Sequence, residues 1–448
     1  MSIAEAERKA ASIEQLTRDI QSMSDNAGDA LQDTLAFWIP GRIEVLGKHT
    51  DYGGGRSLLC AVERGICVVA RPRSVSPQQI WSGGPSLVRV VDANSGESIE
   101  FDLSLNVATV LGHWSNYPIT VARRIAANFT GPMLGADIVF ASDLPHAAGV
   151  SSSSALVVAV FLALSAVNGL PQRPEYRDNI RTPEDLAGYL GCVENGLAFK
   201  SLRGLVGVGT FGGSEDQTAI LCSRPNSLVQ YSFCPIKFER TIVMPLGYTF
   251  VLASSGILAE KTGAALDLYN RVSSRLTAGL ERWREATGRS DNSMGAAIAL
   301  SPDAPEQIRA VLSGTVGPEY SAESLIQRFD QFHFETNEII PAAGDALARG
   351  DLRTFGELVS LSQLAAERSL GNQIPETIAL ASQARQFGAV AASAFGAGFG
   401  GSVWALVESA SAETFRRTWS DAYAEAFPER AARADFFSSV AGPPAVTL

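Results

Sequence analysis

The sequence predicts a mixed α/β protein built as two lobes, and three observations predict it. At 448 residues the chain exceeds what one hydrophobic core usually serves, so two domains are expected. Strand-like and helix-like segments alternate along most of its length. A second organisation begins near Arg240, which places a boundary within 230–245. The expected division is an N-terminal helical extension over 1–33, a first lobe over 34–238 and a second over 239–448.

The elements follow in chain order. Met1 to Asp33 is polar and charged with Ile13, Leu16 and Ile20 at helical spacing, and it lacks the apolar core of a signal peptide. A short apolar run, Ile43, Val45 and Leu46, then opens into a turn crowded with polar groups. Residues 57–70 read as a strand, apolar and β-branched around a central charged break, and 136–141 read as another. After its serines, Ser151 to Asn168 is almost purely apolar; its length makes it a helix buried on most faces. Pro171 to Pro183 reads as a polar connection and Glu184 to Lys200 as a helix. In the second lobe, Thr249 to Ser254 is strand-like and Ala259 to Thr287 has helical periodicity. Further helices are expected from about Ser324 to Arg349, Leu352 to Glu367 and Pro375 to Phe387. The glycine-rich turn Gly396 to Gly401 precedes an apolar strand, Val403 to Val407.

Composition narrows the function classes. Hydrophobic residues make up 46 % and charged residues 19 %, an ordinary globular balance. Lys and Arg number 36 against 47 Asp and Glu, a net charge of −11, which argues against nonspecific nucleic-acid or anionic-membrane binding. The longest apolar run, Ala155 to Val167, is shorter than the roughly 18 residues a membrane span needs. The five cysteines, Cys60, Cys67, Cys192, Cys222 and Cys234, have no CxxC spacing, so buried thiols in a reducing compartment are expected rather than disulfides or zinc. A cytoplasmic location follows by default.

Three motifs carry chemistry. In Pro40-Gly-Arg-Ile-Glu-Val-Leu-Gly-Lys-His-Thr-Asp-Tyr-Gly-Gly-Gly55, Lys48, His49, Asp51 and Tyr52 converge within five positions. Such a density of hydrogen-bonding side chains suits a small polyhydroxylated ligand better than packing. Leu144-Pro-His-Ala-Ala-Gly-Val-Ser-Ser-Ser-Ser-Ala155 sets small residues and four serines before a long helix. A helix N-terminus offers unpaired N–H donors and a partial positive charge to phosphate, although a serine cluster there also serves as a simple cap. Ser393-Ala-Phe-Gly-Ala-Gly-Phe-Gly-Gly-Ser402 is a glycine-rich turn, a weak signal by itself because glycines also make tight turns.

Together these stretches resemble the galactokinases, the sugar-kinase branch of the GHMP kinases, whose signature reads P-G-R-V-N-L-I-G-E-H-T-D-Y-N-G-G. The serine cluster resembles that family's phosphate loop, P-x-G-A-G-L-S-S-S-A, with Ala147 for its first glycine, Val150 for Leu and Ser154 for Ala. The glycine-rich turn resembles its C-terminal G-A-R-M-T-G-G-G-F-G-G. Trp114-Ser-Asn-Tyr117 looks like the W-x-N-Y of the adenine pocket, and Tyr269-Asn270-Arg271 like the Y-N-x-R helix. Phe355-Gly-Glu-Leu358 is similar to F-G-x-L-M, with Gln363 where the family has a Ser-His pair. The resemblance covers about residues 37–445. It implies a two-lobed fold, an N-terminal lobe like the second domain of ribosomal protein S5 and a ferredoxin-like C-terminal lobe, with the active site in the cleft between them.

It also implies roles. Gly212-Gly-Ser-Glu-Asp-Gln217 resembles C-G-I-M-D-Q, making Asp216 the catalytic carboxylate facing the C1 hydroxyl, with Arg42 beside it and the γ-phosphate. Lys48, His49, Asp51, Gly213 and Tyr269 match sugar-binding positions. Trp114, Ala147, Ala148, Gly149, Val150, Ser151, Ser152 and Ser153 match nucleotide-binding ones. Ser153 and Glu194 match the Mg²⁺ ligands, although the span from Glu194 to Asp216 carries a Gly/Val-rich insert, Gly204 to Thr210. Glu215 replaces an apolar residue and either raises the pKa of Asp216 or points to solvent. ATP and Mg²⁺ are the implied cofactors. The implied partners are a sugar and ATP, with no nucleic acid or membrane, in a monomer or weak homodimer.

Lys48 replaces the family Glu that faces the C6 end of galactose. Either it turns outward or donates to a neutral C6 oxygen, or it pairs with a C6 carboxylate and makes the substrate a uronic acid such as galacturonate. A catalytically silent sugar and ATP sensor on the same fold is the competing class, set against a complete catalytic set of Arg42, Ser153, Glu194 and Asp216. A kinase for mevalonate or homoserine fits the phosphate loop but not the His-Thr-Asp-Tyr loop.

Overall fold

The computed structural model describes residues 3–23, 34–73, 86–110, 112–145, 149–258, 266–314 and 319–448. Its larger sheet is organised by two long strands, β1 (Leu35–Leu46) and β2 (Arg56–Pro72), paired antiparallel. The order is β12-β1-β2-β5-β3-β4, with β3 (Leu87–Asp92), β4 (Ser98–Asp102), β5 (Ala136–Ser142) and the C-terminal β12 (Val446–Thr447). The start of β2 also pairs with β6 (Ser227–Ser232), which carries β7 (Lys237–Val243) on its far side. The β3–β5 pair is parallel and the rest are antiparallel.

Side-chain alternation sorts this sheet into two faces. Phe37, Ile39, Val68 and Ile138 face the main core against α3 (Ser152–Val167), the apolar helix, whose length and all-round burial match its sequence. Trp38, Cys67, Val69 and Val139 face the other way and are covered by Leu16 and Ile20 of α1 (Ile3–Ser22). Lys9 pairs with Asp143 and ties that helix to the end of β5.

The second sheet has four antiparallel strands in the order β11-β8-β10-β9, formed by β8 (Tyr248–Ser254), β9 (Ala391–Phe395), β10 (Ser402–Glu408) and β11 (Asp435–Ser439). One face packs on Leu380 and Ala381 of α13 (Pro375–Gln386) and on Trp419 and Tyr423 of α14 (Ala412–Ala426). The opposite face, Phe250, Leu252, Trp404 and Leu406, joins the main core, so one continuous apolar interior fixes the two lobes together.

A separate helical group has its own apolar cluster. It includes α7 (Leu266–Thr287), α8 (Met294–Ile298), α9 (Ala304–Ser313) and α10 (Ala322–His333) around Trp283, Phe329 and Phe332. A π-helical stretch, Phe334–Ile339, continues α10 into α11 (Ile340–Ala348), and another, Ala366–Leu370, ends α12 (Leu352–Ala365). Such wide turns often accompany functional sites, and the first one carries Glu335.

Two sequence expectations need correction. The helix expected over Glu184 to Lys200 is α5 (Pro183–Asn195): Thr182 caps its start, and Gly196 at φ 89 ends it in the left-handed region. The connection Pro171 to Pro183 contains a short helix, α4 (Pro174–Asn179), started by Pro174. Helix α7 is described from Leu266, and the earlier part of the expected helix, 259–265, lies outside the described residues. No helix among the described residues is long and apolar enough to cross a membrane. The remaining helices in the first lobe are α2 (Asn116–Asn128) and α6 (Glu215–Cys222).

Candidate active site

Arg42 sits where β1 breaks register with β2, the pairing stepping from Pro40–Gly65 to Arg42–Ala61. Such a bulge re-aims a side chain out of the sheet's alternation. Gly41 is required beside it, because a Cβ there would lie 2.6 Å from Leu144 Cδ2 and 2.9 Å from Val150 O. The Arg42 N–H donates to Val150 O at 3.2 Å, so the strand and the serine loop lie against each other.

The Arg42 guanidinium is buried and donates from Nε (2.8 Å) and lies 2.7 Å from Nη2 to the same oxygen, Asp216 Oδ1. Its Nη1 donates to Gly149 O in the serine loop. Ser154 Oγ donates to Asp216 Oδ2 at 3.3 Å. Asp216 lies in the first turn of α6, where the helix dipole favours an anion. Burial alone would lower the pKa of Arg42, but Asp216, Glu44 and Glu215 raise it above its ordinary value. The guanidinium is a fixed cation shared between the carboxylate and the loop.

The sugar-loop residues gather across the cleft. Thr50 Oγ1 donates to Gly47 O at 2.8 Å and holds the loop's turn. His49, at φ 57, places Nε2 3.0 Å from Ala397 O, an acceptor, and Nδ1 3.0 Å from Tyr52 Oη. The carbonyl requires the proton on Nε2, so Nδ1 accepts from Tyr52. Burial, set against Arg328, pushes the Tyr52 phenol up to about 12 and keeps it a donor. Asp51 accepts from Tyr52 N at 2.8 Å and from Glu215 N at 3.0 Å. Gly213 is needed for that approach, since a Cβ would lie 2.3 Å from Asp51 Oδ2. Tyr269 stands 5.2 Å from the His49 ring with its hydroxyl over Gly212.

One cleft is thus lined by Arg42, His49, Asp51, Glu194, Gly213, Asp216 and Tyr269. On its serine-loop side, Gly149 has φ 77 and Ser151 has φ 62. Val150 is buried, Ser152 and Ser153 are partly exposed, and the buried Ser151 Oγ has no partner among the described residues. Ala147 and Ala148 lie outside the described residues. Trp114 is not on the cleft wall; its Nε1 donates to Glu97 Oε2 at 2.7 Å and its ring meets the edge of Phe140. The insert folds back beneath Glu194: Val208 N donates to Glu194 O at 2.8 Å, and Asn270 Nδ2 donates to Gly209 O at 3.0 Å.

For two charged residues, one of the open alternatives is removed. Lys48 does not turn outward: it is 0 % exposed, and its Nζ donates to Ser362 Oγ at 3.1 Å, while Ser362 donates to Glu335 Oε1 at 2.9 Å. Glu215 does not point to solvent; it is buried and accepts from Ser57 Oγ at 2.9 Å. Residues not singled out in the sequence complete the frame. Ser154 engages Asp216, and Arg328 on α10 donates to both His49 O and Tyr52 Oη. Glu335 receives Gly47 N at 3.0 Å. These contacts join positions far apart in the chain, and only Ser154 lay inside a motif.

In sequence, the chain is similar to known galactokinases. The profile for the GHMP kinases N terminal domain matches residues 116–187, that for GHMP kinases C terminal matches 345–425, and the galactokinase galactose-binding signature matches 30–72. The galactokinase of Roseiflexus sp. (strain RS-1) is 28 % identical over 391 residues, 86 % of this chain and 87 % of its own length. That of Lactiplantibacillus plantarum (strain ATCC BAA-793 / NCIMB 8826 / WCFS1) is 26 % identical over 410 residues, 91 % of this chain and 94 % of its own. In fold, the chain is similar to the Lactococcus lactis galactokinase complexed with galactose, at TM-score 0.76 and 24 % identity, covering 97 % of this chain and all of that one (100 %). It is less similar to the L. major mevalonate kinase in complex with R-mevalonate, at TM-score 0.52 and 15 % identity over 91 % of this chain and 95 % of the other.

Two lobes of this topology, with matches to both terminal profiles, give the chain the GHMP kinase fold. Within that class the chain is similar to the galactokinases, and its likeness to them indicates a sugar 1-kinase.

Proposed function

We propose that the protein transfers the γ-phosphoryl group of ATP to the C1 hydroxyl of galactose or a closely related neutral hexose. The observation that carries this reading is the buried Arg42–Asp216 pair, which stands at the meeting point of the sugar loop and the serine loop. Phosphoryl transfer asks the protein for position and charge rather than covalent chemistry. Asp216 accepts the C1 hydroxyl proton, and Arg42 keeps that carboxylate ionised while lying against Gly149 of the phosphate loop. Asp51, Gly213 and Tyr269 hold the sugar, with His49 setting the loop's shape. Val150 and Ser151 to Ser153 cradle phosphate, joined in this reading by Ala147 and Ala148, and Trp114 borders the adenine.

Mg²⁺ fits the donor set. Glu194 offers a carboxylate on the cleft wall and Ser153 a partly exposed hydroxyl at the helix start. This metal is usually held by one or two carboxylates plus phosphate oxygens and water. When bound, it would neutralise charge on the phosphates. Among the described residues there is no group of three or more carboxylate, His or Cys ligands, which accords with a metal held largely by substrate.

A uronic acid is disfavoured as substrate. The Lys48 ammonium is engaged with Ser362, and the cleft wall includes Glu44, Asp51, Glu194, Glu215 and Asp216. A sugar carboxylate entering there meets an excess of like charge. Mixing the protein with ATP, Mg²⁺ and a monosaccharide panel tests both points: ADP release is expected with galactose and not with galacturonate. Tight sugar binding without turnover of any sugar would instead assign a sensor.

A further inference from the structure

We infer that Glu44 and Glu215 share a single proton as a buried acid–carboxylate pair behind the catalytic centre, acting together as a positioning device for Arg42. The geometry carries this. Glu44, on β1, is 3 % exposed, and Glu215, at the start of α6, is 5 % exposed. Their side chains lie within hydrogen-bonding reach of each other. One oxygen of each already has a donor: Gly396 N reaches Glu44 Oε2 at 3.2 Å, and Ser57 Oγ reaches Glu215 Oε2 at 2.9 Å. The other two, Glu44 Oε1 and Glu215 Oε1, are sealed from water with no donor among the described residues. Two ionised carboxylates cannot hydrogen-bond to each other, and an unsatisfied buried acceptor is costly. One proton held between those oxygens satisfies both, as in other paired buried carboxyls.

The surrounding charges agree with one proton rather than none or two. Glu44 faces Arg42 and Lys48 as cations and Glu335 as an anion, while Glu215 faces Arg42, Glu44, Asp51 and Asp216. Arg42 is committed to Asp216 and Lys48 to Ser362, so little cationic charge is left for a second ionised carboxylate. Burial first, and Glu335 after it, push Glu44 up to about 7 against the pull of Arg42 and Lys48; burial, then Glu44 and Asp51, push Glu215 well up. The shared proton leaves Arg42 on Asp216. Its loss sets three carboxylates competing for one guanidinium. Neither Glu reaches a reacting atom; both act through Arg42.

The consequence for catalysis rests on the kinase reading, whereas the proton itself does not, and the experiment separates them. In substrate-free wild-type protein, the infrared carbonyl band of a protonated carboxyl is expected at mildly acidic pH and weakens as pH rises through about 7. It is absent from Glu44→Gln and Glu215→Gln. Because the folded pKa lies above the unfolded one, stability from this proton is complete below the unfolded value and is lost as pH rises through the folded one. The wild-type melting midpoint therefore falls more steeply between about pH 4.5 and about pH 7 than that of either Gln variant. In turnover, wild-type kcat/KM falls up to about tenfold per pH unit on the alkaline side, and that limb is missing from Glu215→Gln. A merely structural role would change the level but not the limb. A titrating band without any sugar turnover leaves the pair standing and removes the kinase. Absence of the band in the wild type, or equal pH slopes in all three proteins, overturns the shared proton; the wild-type titration decides even if both variants fail to fold.

Discussion

Asp216→Asn is the perturbation whose consequence the structure sets most tightly. Asparagine keeps the shape of the side chain and an acceptor for Arg42, and it leaves Ser154 within reach, but it removes the negative charge and the capacity to take a proton. A positioned general base contributes roughly 10²–10⁴ in rate, about 2.7–5.5 kcal/mol on the barrier. The cost in stability is smaller than that usually seen on breaking a buried ion pair, about 3–5 kcal/mol, because Glu44 and Glu215 remain beside the guanidinium. A coupled ADP assay is therefore expected to show kcat down by at least about 10²-fold, with KM for ATP within about threefold of wild type. A melting curve run alongside checks that the variant is folded. A folded Asp216→Asn protein with kcat within about threefold of wild type would refute the role given to this carboxylate.

Three other outcomes follow from the packing. Lys48→Met removes the buried cation linked through Ser362 to Glu335 and leaves Glu44 only Arg42 as counter-charge, so the melting midpoint is expected to fall by the equivalent of about 3 kcal/mol, read by calorimetry. Gly213→Ala drives a Cβ to 2.3 Å from Asp51 Oδ2 and backbone nearby, and KM for the sugar should rise about tenfold or more while KM for ATP holds. Leu16→Ala empties the contact of α1 with Trp38 and Val69; urea unfolding should register about 2–4 kcal/mol of destabilisation with kcat unchanged.

Much of this was legible in the chain because local and global demands coincide there. Strand β2 and helix α3 are apolar enough that periodicity and length identify them, and the phosphate and sugar loops announce themselves by composition. Where function bends the pattern, reading fails. Strand β1 runs for 12 residues, but Pro40, Gly41, Arg42 and Glu44 interrupt its apolar character because they serve the site, so only the short apolar run at its end stands out in the sequence. Helix α5 stops at Gly196, a signal present in the sequence but overridden by the apolar residues beyond it. The environments of Lys48 and Glu215 could not be read at all: Ser362, Glu335, Ser57 and Glu44 reach them only through tertiary packing.

The most direct test of the central claim is the identity of the product. Phosphorus-31 and carbon-13 spectra of a reaction with ATP, Mg²⁺ and uniformly labelled galactose should show phosphate bonded to C1, formed by the wild type and not by Asp216→Asn. Phosphate on any other carbon, or C1 phosphate made equally well by both proteins, would contradict a cleft in which Arg42 and Asp216 govern the transfer.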